Sequence, residues 1–191
     1  MRTAALATGL LSLLAAGRAA AAHAPEIPGL VTDAAGATHL LVDGKPFIAL
    51  GGELGNSNAS SLAVAKPLFA KLAAMKLNTV LVPVSWELVE PVEGKFSFDL
   101  VGDLVREARR QKLRVALLWF GSWKNGMSSY VPAWIKSNPA RFPRAEMAGG
   151  RRVEALSAFA PANVQADARA FAELMRYVRT VDGRDHTVIM V

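Results

Sequence analysis

The sequence contains no cysteine and only three histidines in 191 residues. Without cysteine there is no disulfide framework, no thiolate nucleophile and no thiolate metal site. His23 falls in the apolar N-terminal segment, His39 in an expected hairpin and His186 at an expected strand start, so neither a metal cluster nor a Ser-His-Asp set is apparent. No metal and no cofactor is expected. Gly51-Gly52-Glu53-Leu54-Gly55 matches neither a dinucleotide fingerprint nor a phosphate loop. Aromatic residues make up 7% of the chain and are not interleaved with the basic ones, which leaves no stacking platform for nucleic acid.

What is present is a chain 52% hydrophobic and 20% charged, which excludes a disordered or collagen-like polymer. Its length suits one domain but falls short of the roughly 250 residues of a complete (β/α)8 barrel. The net charge is +6, with the basic excess in Arg106, Arg109, Arg110 and Lys112 and in Arg141, Arg144, Arg151 and Arg152. Solvated helix faces and loops account for these clusters, and no nucleic-acid partner is expected.

Residues 1–24 read as a secretory signal peptide. Arg2 precedes an uncharged apolar run from Ala4 to Ala16, and Ala22-His23-Ala24 fits an A-x-A cleavage site. The run is too short to span a bilayer. Export to a periplasm or the exterior is expected, with no membrane attachment after removal. The oligomeric state is left open.

From residue 25 onward, Thr38–Val42 and Lys45–Leu50 flank Asp43-Gly44 as a hairpin. Gly51 and Gly52 are expected to turn the backbone out of the second arm, with Glu53 following the first strand of a larger sheet. Leu62, Ala65, Phe69 and Leu72 form a helical stripe, interrupted by Pro67. Strands are expected at Leu77–Val84, Leu113–Phe120 and His186–Val191. Helices are expected from Asp99 and over Ala162–Thr180. Alternating strands and helices imply a parallel α/β sheet. The long segment Gly121–Pro161 follows a strand's C-terminal end, where such folds carry their ligands. The last strand stops within an apolar run, which reads as a truncation, because it leaves a bare hydrophobic edge.

Chemistry-bearing residues gather at the strand ends. Trp86, Trp119, Trp123 and Trp134 all fall at or after them. Indole faces suit sugar rings, and packing anchors are the other reading for each; Trp134, beside Pro132, reads as structural. Glu53, Glu87 and Glu90 recur in the same places, either as solvated groups or as the carboxylates that glycosidic cleavage needs.

Val42-Asp43-Gly44-Lys45-Pro46-Phe47 with Gly51-Gly52-Glu53-Leu54 resembles the opening of family 35 glycoside hydrolases, the β-galactosidases. Leu77-Asn78-Thr79-Val80, then Trp86, Glu90-Pro91, Gly94 and Phe96-Ser97-Phe98, resembles their second strand and loop, and the related family 42 enzymes share that pattern. Val131-Pro132-Ala133-Trp134-Ile135 resembles the stretch after their third strand. The resemblance implies a TIM barrel of which residues 25–191 are the first half, strands 1 to 4, preceded by the β-hairpin. It implies retaining hydrolysis of β-galactosides, with an acid/base glutamate in an Asn-Glu pair beyond the fourth strand and a nucleophile from the seventh. Both would lie past Val191, so no catalytic residue is assigned and the 191 residues are expected to be inactive. Glu53, Trp86, Glu90, Trp119, Trp123 and Asn125 are expected to form the sugar-binding wall, Glu90 also as a loop-fixing acceptor. Pro83 stands where the family has a pocket tyrosine, and the family's glutamate after the third strand is unmatched in Phe120–Gly126. Both departures bear on galactose specificity.

Two rivals remain at this point. One is an exported carbohydrate-binding protein without catalysis, and the other a complete small open α/β sheet.

Overall fold

The computed structural model of the protein describes residues 27–124 and 129–191. The predicted signal peptide, residues 1–24, lies outside the described residues. So does Asn125.

The chain opens with three antiparallel strands: β1 (Gly29–Thr32), β2 (Thr38–Val42) and β3 (Lys45–Pro46). β2 and β3 are the expected hairpin, with Asp43 and Gly44 at φ 52° and 70°. Both central residues with positive φ is the turn a D-G pair favours. The second arm is shorter than its sequence suggests, and β1 adds a strand that the sequence pattern did not signal.

A four-stranded parallel sheet follows, built from β4 (Gly51–Glu53), β5 (Thr79–Ser85), β6 (Arg114–Phe120) and β9 (Val188–Met190). Its order is β4-β5-β6-β9, each strand beside its predecessor in the sheet. Gly51 and Gly52 therefore lie in the first strand, where a turn was expected, and Glu53 ends that strand. A Cβ on Gly52 would stand 2.6 Å from Leu72 Cδ2. The missing side chain lets helix α1 (Leu62–Ala74) seat directly on the sheet.

α1 runs unbroken with Pro67 inside it and buries Ala65 and Phe69. A single turn, α2 (Trp86–Val89), continues directly from β5. The strongly amphipathic α3 (Asp99–Arg110) buries Val101, Leu104, Val105 and Ala108. The long segment after β6 holds a turn of helix, α4 (Ala133–Lys136), and an unforeseen hairpin, β7 (Arg144–Glu146) with β8 (Arg152–Leu156). α5 (Pro161–Asp182) then leads back to the sheet.

Strand periodicity divides the sheet's two faces. Val80, Val82 and Val84 of β5 and Val115 and Leu117 of β6 share one core with Phe69, Leu104, Ala108, Ala170 and Leu174 from the helices. The long helices thus cover one face, α1 against α3 and α3 against α5. Gly51, Glu53, Leu81, Pro83, Ser85, Leu118 and Phe120 occupy the alternate positions, pointing the other way.

Polar bonds lock the N-terminal ends of the strands. Asn78 accepts from Leu50 N at 2.8 Å and donates to Ile48 O at 2.9 Å, which sets the entry to β4. Arg114 pairs with Asp43 of the hairpin turn and donates to His186 O at 2.8 Å. The buried Asp182 carboxylate takes Arg109 Nη2 at 2.7 Å and Val188 N at 2.6 Å, which fixes the start of β9. None of the described helices is long and apolar enough to cross a membrane.

Candidate functional site

The C-terminal ends of β4, β5 and β6 bring together the loops that carry the predicted residues. The second-strand motif proves to be a packing unit. Trp86, wholly buried, donates its indole N–H to Glu90 Oε2 at 2.7 Å. Glu90, also wholly buried, accepts from Gly94 N at 2.8 Å and Arg169 Nη2 at 3.0 Å. Trp134 donates to the Glu90 carbonyl at 3.0 Å and meets the Trp86 ring edge-on, with centroids 6.1 Å apart. Phe96 stacks on Phe98 and Phe98 on Tyr177 of α5. The spacing Trp, Glu, Gly, Phe-x-Phe thus closes one loop onto one helix.

Trp119 lies on the helix-facing side of β6, in register with Val84. It is half-buried against Phe171, with centroids 6.1 Å apart, and its N–H donates to Asp167 Oδ1 at 2.7 Å. Asp167 Oδ2 accepts from Ser122 N at 2.7 Å. Trp123, next in the chain, is 63% exposed. Glu53 is exposed at the end of β4, on the face away from the helices. Glu87 pairs with Lys136 at 2.9 Å.

Five of the six predicted residues are described, and they fall into two sets. Glu53 and Trp123 present side chains to solvent, whereas Trp86, Glu90 and Trp119 spend their polar atoms on one another's loops and on α5. Asn125 lies outside the described residues. Sequence reasoning missed Asp167 and Arg169, which sit among the solvated-looking residues of a helix. Among the described residues no group of three His, Cys, Asp or Glu side chains could hold a metal ion.

A parallel sheet walled by helices on one face carries its ligand sites on the loops at the C-terminal ends of its strands, which is where these indoles and carboxylates stand. The proteins it is similar to are glycoside hydrolases. The chain is 35% identical over 137 residues to a β-galactosidase of Xanthomonas manihotis, a match covering 68% of this chain and 22% of that protein. Among solved structures it is similar to an exo-β-1,4-mannosidase of Opitutaceae bacterium strain TAV5. The TM-score is 0.54 and the identity 18%, over 82% of this chain and 25% of the mannosidase. The chain thus spans about a quarter or less of the length of these glycoside hydrolases. No family model matches the sequence.

Proposed function

We propose that the chain supplies the first four strands of the (β/α)8 barrel of an exported, retaining, β-galactosidase-like glycoside hydrolase. The observation that carries this reading is the strand order β4-β5-β6-β9 with all three long helices on one face. A doubly wound sheet reverses its order at a switch point and takes helices on both faces. Successive addition with one-sided cover is how a barrel wall grows. The likeness to a β-galactosidase supports the sugar class.

In this reading residues 1–24 direct export and are removed. Glu53, Trp123 and Asn125 meet the sugar, while Trp86, Glu90 and Trp119 form the layer that supports them. Pro83 faces away from the helices, where the resemblance expects a tyrosine, so the sugar preference departs from galactose alone. Retaining cleavage needs one carboxylic acid to protonate the leaving oxygen and a carboxylate about 5 Å away to attack the anomeric carbon. No Asn-Glu pair occurs in the 191 residues. Glu87 is held by Lys136 and Glu90 is buried, so the chain by itself binds a glycoside without cleaving it.

The test is a fluorescence titration of the full chain with methyl β-D-galactoside and methyl β-D-mannoside, beside an assay on a chromogenic β-galactoside. Saturable binding without turnover is expected. Turnover at enzyme-like rates would overturn the assignment of catalysis to residues outside the chain. Absence of binding to either glycoside would overturn the sugar site.

A further inference from the structure

We propose that Asp167 is a positioning residue for the sugar-facing loop after β6: its two carboxylate oxygens set how the chain leaves the sheet and thereby where Trp123 stands. The proposal rests on the reading that Trp123 meets the sugar. Asp167 lies in the second turn of α5, with Trp119 and Ser122 bonded to its separate oxygens, each at 2.7 Å. Gly121, between those two donors, passes so close that a Cβ there would be 2.5 and 2.6 Å from the carboxylate oxygens. The end of β6 is thus folded around this one group, and the exposed Trp123 is the next residue after Ser122.

The geometry requires a carboxylate. Both partners are N–H donors, so both Asp167 atoms must accept. An asparagine of the same shape would keep one bond and turn its NH2 toward the other donor, leaving two donors opposed. The same helix holds the preceding strand-end loop two residues later, where Arg169 Nη2 reaches Glu90 Oε1 at 3.0 Å. α5 therefore carries the ties for two adjacent strand-end loops.

The experiment compares full-length wild type with Asp167→Asn, labelled with nitrogen-15, following the four indole N–H resonances and titrating methyl β-D-galactoside. The Trp119 resonance should move upfield on loss of its carboxylate acceptor. The Trp123 resonance should move as well, and glycoside affinity should fall about tenfold at a temperature where both proteins are folded. A purely structural Asp167 would lower the melting temperature and leave Trp123 and the affinity unchanged, and that result overturns the proposal.

Two further variants decide the matter should Asp167→Asn fail to fold. Gly121→Ala drives a methyl group between the Trp119 indole nitrogen and the Asp167 carboxylate, parting the two, and should displace Trp123 as Asp167→Asn does. Trp119→Phe removes the indole donor while keeping an aromatic ring and the Ser122 bond, and should leave the Trp123 resonance in place. An undisturbed Trp123 in Gly121→Ala overturns the proposal. If wild type binds no glycoside, the sugar site fails while the Trp123 resonance still decides what Asp167 does.

Discussion

Trp86 and Glu90, four residues apart, are both wholly buried and joined by a 2.7 Å hydrogen bond from indole to carboxylate. A buried carboxylate persists only where donors and a cation replace its hydration, and here Trp86, Gly94 and Arg169 do so. Glu90→Ala should cost about 3–5 kcal/mol, because it strands all three donors. Glu90→Gln keeps the volume and one acceptor and should cost about 1–3 kcal/mol. Urea unfolding of both variants checks the order, and equal losses would show that the charge plays no part.

Gly52 lies against α1, with room for hydrogen only. Gly52→Ala should lower stability by about 1–3 kcal/mol, since Leu72 must leave its rotamer or the helix must lift. A thermal melt reads this directly. A loss below about 0.5 kcal/mol would mean that Leu72 repacks freely.

Among the described carboxyls, Glu107 is the one whose acid sensitivity is expected to be largest. The Arg110 guanidinium, 2.5 Å away, together with the Gln111 amide, holds its carboxyl down to about 2 from the ordinary 4.5. A carboxyl depressed on folding stabilises the native state fully above the unfolded value, and that stability is lost as pH falls through the folded one. The gap in stability between wild type and Glu107→Gln should therefore be constant above pH 4.5 and close as pH falls toward 2. A gap independent of pH over that window would contradict the assignment.

Trp123 is exposed and sits beyond the last bond to Asp167. Trp123→Ala should change unfolding free energy by less than about 0.5 kcal/mol, as for an exposed side chain remote from the core. It should also abolish the fluorescence response to methyl β-D-galactoside. Retained response would move the sugar site elsewhere.

The amino-acid sequence by itself determined the long helices, the valine-rich strands and the hairpin turn. These depend on local periodicity and turn chemistry, and Asp99–Arg110, Arg114–Phe120 and Asp43-Gly44 all carry their signals within a few residues. It also placed the tryptophans and glutamates at strand ends. Only the tertiary structure decided which of them face solvent, because Trp86 and Trp123 look alike as letters beside a strand. The ties that sort them join residues far apart in sequence: Asp167 reaches back 48 residues to Trp119, and Arg169 79 residues to Glu90. On a helix, a polar residue bound for solvent and one bound for a neighbouring loop share the same spacing. The packing of α5 across the ends of β5 and β6 tells them apart. The same holds for Gly51 and Gly52, whose letters signal a turn while their pairing with Thr79 and Val80 of β5 makes them strand, with α1 seated closely on Gly52.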